Sequence, residues 1–65
     1  MMAKTDVEVE LIGQDGNAFA ILGKVKRELV RAGYKDLAEE YINEAMSGGD
    51  YNHLLRVTGE YVEII

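Results

Sequence analysis

A chain of 65 residues that contains no cysteine has to fold around one small apolar core. Disulfides and thiolate zinc sites, which stabilise many domains of this size, are both excluded. Hydrophobic residues make up 48% of the chain, which is ordinary for a globular domain and too many for a disordered tail. We therefore expect a single domain over residues 1–65, with residues 1–5 disordered.

The pattern of apolar residues predicts a small α+β domain with the order β-α-α-α-β. Residues 7–12 alternate apolar and acidic side chains, which is typical of a half-buried strand. Residues 13–16 contain Asp-Gly and predict a turn. Three amphipathic helices follow, of which the last is expected to end near Gly59. Residues 61–65 are rich in β-prone side chains and favour a short final strand. Helical spacing also persists there, so residues 60–65 could be either strand or helix.

Two strands at opposite ends of a short chain are expected to pair with each other or with another copy. The three helices would then pack on one face of that ribbon. The free strand edges and the small core both favour a homo-oligomer.

Cap residues predict where the helices begin and end. Asn17 and Asp50 fit the N-caps of the first and third helices, and the second is expected to be capped by Lys35 or Asp36. Gly33 fits a left-handed residue after the first helix, which is expected to run to residue 32.

Each helix has an apolar stripe that is expected to face the core. The expected members are Ala18, Phe19, Leu22, Val25, Leu29 and Ala32 in the first, Leu37, Ala38, Tyr41, Ile42, Ala45 and Met46 in the second, and Tyr51, Leu54, Leu55, Val57, Thr58 and Tyr61 in the third. Gly23 lies inside the first helix, where glycine is unfavourable, so close approach by another element is one expected reason for it.

The net charge of −5 argues against non-specific binding of nucleic acid. One basic stripe nevertheless lies on the first helix, where Lys24, Arg27 and Arg31 are spaced i, i+3 and i+7. Guanidinium groups suit phosphates, and a tyrosine could stack a base, so this stripe is a candidate site for a nucleotide. The alternative interpretation is that these residues are a solvated basic face of the first helix, which attracts a solvated acidic face of the second. The candidate ligand-binding residues are Lys24, Arg27, Arg31, Arg56, Asn17, Tyr51 and His53.

No catalytic set is apparent in the sequence. His53 is the only histidine and Ser47 the only serine, and no spacing resembles a metal motif. We expect no enzyme activity, metal or cofactor; a small hydrolase with His53 as general base is a remote alternative. No apolar run is long enough to span a membrane and the first residues do not resemble a signal peptide, so a cytoplasmic location is expected.

Three segments, residues 16–23, 32–34 and 44–55, together resemble a family of very short hypothetical proteins of phages, prophages and some bacteria. The resemblance extends over residues 7–62 and implies a phage or mobile-element origin. It brings no catalytic residues. Small acidic phage proteins without catalytic sets commonly act by binding. The leading prediction is therefore a phage-type accessory protein that binds a host protein, through its acidic surface or a strand edge. The alternative is a sponge that sequesters a nucleotide signal in counter-defence.

Overall fold

The structure is a computed structural model that describes residues 3–11 and 17–65. Its elements are β1 (Glu8–Val9), α1 (Ala18–Arg31), α2 (Lys35–Ser47), α3 (Tyr51–Tyr61) and β2 (Glu63–Ile64). This confirms the predicted α+β order β-α-α-α-β in one domain. The turn predicted over residues 13–16 lies outside the described residues, as does the end of the first predicted strand.

The two strands pair with each other, and the pairing is parallel. Val9 lies opposite Ile64 in the register. The Glu63 amide donates to the Val7 carbonyl over 2.8 Å, and the Ile65 amide donates to the Val9 carbonyl over 3.0 Å. The regular strand is much shorter than the predicted span of residues 7–12, because only this short stretch has a partner strand.

The segment before β1 is attached to the end of α3. The Lys4 amide donates to the Glu60 carbonyl and the Thr5 amide to the Tyr61 carbonyl. The Thr5 hydroxyl is buried and donates to the same Tyr61 carbonyl over 2.7 Å. Residues 4 and 5 therefore have defined partners, although they belong to the segment expected to be disordered.

The caps at Asn17, Asp50 and Gly33 are confirmed. Asn17 accepts a hydrogen bond from the amide of residue 20, and Asp50 accepts one from the amide of residue 53. Gly33 has a φ of 94°, and its amide donates to the Val30 carbonyl. The Tyr34 amide donates to the carbonyl of residue 29, so the end of α1 has both hydrogen bonds of a Schellman motif.

Two predicted helix boundaries are wrong. The second helix is not capped by Lys35 or Asp36, because Tyr34 occupies the N-cap position without a side-chain hydrogen bond. The third helix continues past Gly59 to Tyr61. Burial of Tyr61, whose ring packs edge-on against Tyr41 at 5.4 Å between centroids, outweighs the helix penalty of about 1 kcal/mol for glycine.

The core lies between the three helices and one face of the strand pair. Val9 and Leu11 are buried and Val7 is half-buried, as the alternation in this segment predicts. The Tyr41 hydroxyl donates to Thr58 Oγ1 over 2.7 Å, since the Thr58 hydroxyl itself donates to the Leu54 carbonyl. Every buried side-chain polar atom in the described residues has a partner.

Three residues expected in the core are on the surface: Ala32, which is exposed at the C-cap of α1, and the two large residues Phe19 and Met46. Phe19 is 80% exposed and Met46 is 60% exposed. Each follows a residue that packs against the core, Ala18 or Ala45. One residue along a helix turns a side chain by about 100°, so Phe19 and Met46 are carried away from the core.

Gly23 is also exposed, and no atom of another element in residues 3–11 and 17–65 lies within 4 Å of the position its Cβ would occupy. Within the described residues, the expected close approach to Gly23 is therefore not found.

Candidate functional site

An apolar groove opens between α1, the end of α2 and the start of α3. Its lining residues are Ala18, Phe19, Leu22, Ala45, Met46, Gly48, Gly49, Asp50, Tyr51 and Leu54. Phe19 stands on the α1 wall and Met46 on the α2 wall. Neither side chain is needed by the core, so both are presented to a molecule that enters the groove.

The turn at the end of the groove is held by His53. Its Nε2 donates to the Glu44 carbonyl over 3.0 Å, and the Ser47 hydroxyl donates to the same oxygen over 2.7 Å. This carbonyl belongs to the last turn of α2, where helix carbonyls lack partners within the helix. A Cβ on Gly48 would overlap the imidazole ring of His53, so only glycine leaves room for this arrangement. His53 therefore positions the turn between α2 and α3.

A basic depression adjoins the groove along α1. It is lined by Phe19, Ala20, Gly23, Lys24 and Arg27. Phe19 lines both surfaces, so the apolar groove and the basic depression are neighbours. The structure thus brings together two predicted ligand residues, Lys24 and Arg27, and places a third, Tyr51, in the neighbouring groove.

The cations of the predicted stripe differ in their partners. The Lys24 ammonium group donates to the Glu10 carbonyl, and Arg31 forms an ion pair of 3.6 Å with Glu28. Arg27 is exposed and makes no ion pair with any described residue. Of the three, Arg27 has its charge most available for a ligand.

The remaining candidate residues lie elsewhere. The Asn17 side chain is occupied as the cap of α1. Arg56 is exposed on α3, about 200° around that helix from the buried Leu54. The structure shows no contact that joins Asn17, His53 or Arg56 to the basic stripe among the described residues.

A second depression is acidic and lies on the other side of α2. It is lined by Lys4, Asp36, Glu39, Glu40, Asn43, Glu44 and Tyr61. The Tyr61 hydroxyl lies 2.8 Å from Glu40 Oε2 and 2.7 Å from Glu44 Oε1. The Lys4 ammonium donates to Glu40 over 2.9 Å and stands 4.6 Å from the centre of the Tyr61 ring.

The charges of this cluster favour neutral Tyr61 and ionised Glu40. Burial, and then hydrogen bonding to the two carboxylates, raises the pKa of Tyr61 far above its usual range. The hydrogen bond from Lys4, followed by the one from Tyr61, lowers the pKa of Glu40. The hydrogen bond with Glu40 raises the pKa of Lys4. These bonds attach the N-terminal segment and α3 to α2, so the cluster has a structural role.

Sequence reasoning missed the groove because it assigned Phe19 and Met46 to the core. The signal was present: Ala18, Leu22, Val25 and Leu29 already form a complete stripe with 4, 3, 4 spacing. Phe19 lies outside that register, and a large apolar residue outside the core register is a candidate surface contact.

No group of three or more histidine, aspartate or glutamate side chains in the described parts of the chain is arranged to hold a metal ion. None of the described helices is long and apolar enough to cross a membrane. Comparisons with protein-family models, with curated proteins and with solved structures find no match to this chain.

Proposed function

We propose that this chain is a non-enzymatic accessory protein of the phage type that acts by binding a protein of the host cytoplasm. The observation that carries the proposal is the apolar groove with Phe19 and Met46 exposed on its walls. Burying a large apolar side chain contributes roughly 1.5–3 kcal/mol, and a few such anchors dominate most protein interfaces. We propose that the host protein contacts this groove, in place of the acidic surface expected from the sequence.

A homo-oligomer remains part of the proposal. Ile64 is 45% exposed on β2. On the β2 side, the amides of Glu63 and Ile65 donate to carbonyls of the first strand segment. Because backbone groups alternate in direction along a strand, those of Ile64, which lies between them, point away from β1. A free edge with an exposed apolar side chain suits pairing with another copy. This surface is separate from the groove.

The test is affinity capture from host lysate with matched variants. Phe19→Ala should lose a partner that the unchanged protein retains, because it removes the groove anchor while alanine keeps α1 helical. Val30→Ala is the control, since Val30 is an exposed apolar residue of the same helix, about 16 Å from Phe19 along the axis. The loss should be reproduced with the purified partner by titration calorimetry. Equal retention by Phe19→Ala would contradict the proposal.

A nucleotide sponge is the second candidate function. It is favoured by the position of the Lys24 and Arg27 depression next to the groove that Tyr51 lines, with Phe19 shared between them. Phosphates would bind the two cations and a base would stack on Phe19 or Tyr51. Native mass spectrometry of gently purified protein should then show a ligand adduct, which Arg27→Glu together with Arg31→Glu should abolish. Persistence of the adduct in that variant would contradict this assignment.

The remote hydrolase hypothesis receives less support. The Nε2 atom of His53 is used by the Glu44 carbonyl, and no serine hydroxyl is free beside the ring because Ser47 donates to the same carbonyl. A His53→Ala variant with unchanged activity in any hydrolase assay would remove the hypothesis.

A further inference from the structure

We infer that the groove binds an amphipathic helix of the partner, with acidic side chains directed toward α1. This inference deepens the proposed function and rests on it. Four features of the structure lead to it: the nature of the groove walls, the length of the groove, the charge beside it and the composition of the chain's own surfaces.

The groove walls favour a helical occupant. Two of its walls are helical, Ala18, Phe19 and Leu22 on α1 facing Ala45 and Met46 on α2, and the backbone groups there are hydrogen-bonded within each helix. An extended peptide gains affinity by pairing its backbone with a free strand edge, and these walls offer none. A bound helix satisfies its own backbone and contacts the groove only through side chains. Such a helix presents anchors at i, i+3 or i+4, and i+7.

The length of the wall sets the size of the bound segment. The α1 residues that line the groove and the basic depression extend from Ala18 to Arg27. The groove itself takes only Ala18, Phe19 and Leu22 from α1, about 6 Å of helix, and the basic depression extends this surface to about 14 Å. The two together match a partner segment of roughly ten helical residues, with its apolar anchors in the groove and its acidic residues over the depression.

The charge beside the groove selects acidic residues. Lys24 and Arg27 flank the groove at Phe19, and Lys26 and Arg31 are exposed on the same helix. Arg27 has no ion pair with a described residue, so its guanidinium group is available for a carboxylate. Asp50, the one acidic residue among the described ones that line the groove, caps α3 at the other end of it, so a basic partner helix would meet repulsion where it passes Lys24 and Arg27.

The chain's own exposed surfaces do not supply such a helix. On α1 the exposed apolar residues, Phe19 and Val30, stand among basic side chains. The acidic helix α2 has one large exposed apolar residue, Met46, which already lines the groove. A second copy therefore lacks a helix face with both several anchors and several carboxylates, which favours a different protein as the occupant.

The test uses synthetic helical peptides and fluorescence anisotropy. The first peptide carries leucine at i, i+3 and i+7 with glutamate on both flanks, and its twin carries lysine in place of every glutamate. We expect the acidic peptide to bind about tenfold more tightly than the twin, because its glutamates attract Lys24 and Arg27 where the lysines of the twin are repelled. Phe19→Ala should weaken binding of the acidic peptide by a similar factor.

Charge reversal supplies the specific control. Arg27→Glu should weaken binding of the acidic peptide and strengthen binding of the lysine twin. Lys35→Glu, which makes the same charge change at the far end of α2, should leave both affinities unchanged. Failure of the acidic peptide to bind, equal binding of the twin, or no effect of Arg27→Glu would each overturn the inference. A dimer in sedimentation that Phe19→Ala dissociates would also overturn it, by showing that a second copy fills the groove.

Failure of the inference can be separated from failure of the proposed function. If Phe19→Ala loses the host partner and the acidic peptide does not bind, only the class of partner segment is wrong. If Phe19→Ala keeps the host partner, the groove is not the binding surface and both proposals fail.

Discussion

The turn before α3 depends on the contact between two particular residues, Gly48 and His53. The imidazole ring occupies the space of the missing Cβ, and its hydrogen bond completes the end of α2. Gly48 has a φ of −92°, which any residue can adopt, so its requirement for glycine comes from the ring alone. Because the turn also lines the groove, this contact fixes part of the proposed binding surface.

Gly48→Ala should therefore destabilise the protein by about 1–3 kcal/mol, since the ring must move and leave the Glu44 carbonyl short of a partner. The measurement is urea denaturation followed by circular dichroism. In a His53→Ala background the added methyl group meets no ring, so the effect of Gly48→Ala should largely disappear. Gly49→Ala is the matched control, because no described atom lies within 4 Å of its Cβ position. Equal destabilisation by Gly48→Ala in both backgrounds would show that the ring is not the cause.

Two buried tyrosines should make the fold sensitive to alkali. Burial is the first cause that raises the pKa values of Tyr41 and Tyr61, whose value in an unfolded chain is near 10. Since the pKa of each tyrosine is higher in the folded state, the protonated hydroxyls stabilise the folded protein fully below pH 10. That contribution to the free energy of unfolding is lost as the pH rises above 10. We expect the tyrosinate absorbance of these two residues to appear together with loss of helical circular dichroism. Full ionisation of all tyrosines while the helices persist would contradict this.

At the scale of the element, α1 contains one glycine, Gly23, and is followed by another, Gly33. The backbone requires glycine at position 33 but not at position 23. Gly33 has a positive φ that residues other than glycine rarely adopt, whereas Gly23 is helical and exposed, with no other described element within 4 Å of its Cβ position. Gly33→Ala should lower the free energy of unfolding by about 1 kcal/mol, and Gly23→Ala should raise it by about 1 kcal/mol. Thermal denaturation of the two variants gives the comparison. Destabilisation by Gly23→Ala would mean that another part of the chain, or a second copy, packs closely against the Gly23 face of α1 in solution.

The elements themselves were predictable from local signals, because alternation, caps and helical spacing act over a few residues. Asn17, Asp50 and Gly33 show this, since each stands where its local chemistry requires. The end of α3 was not predictable in this way. It depends on packing of Tyr61 against Tyr41, which are distant in the sequence, and such packing overrides the local signal of Gly59.

At the scale of the whole molecule, the surface separates into an apolar groove with a basic side and an acidic face on α2. The sequence allowed Lys24 and Arg27 to be predicted as neighbours, since both belong to one helix face. It did not allow the groove to be predicted, because a groove between helices depends on how α1, α2 and α3 pack. The 4, 3, 4 register of α1 sets Phe19 apart from the core residues, but the sequence does not show which elements lie beside it.

The central claim is that the partner contacts the surface around Phe19. Site-specific photo-crosslinking in the host tests it most directly, with a photoreactive phenylalanine analogue placed at position 19 and, in separate variants, at positions 35 and 64. The account predicts one discrete host adduct from position 19 that Met46→Glu abolishes, and no such adduct from position 35. A host adduct that forms from position 64 but not from position 19 would contradict the account and assign recognition to the strand edge.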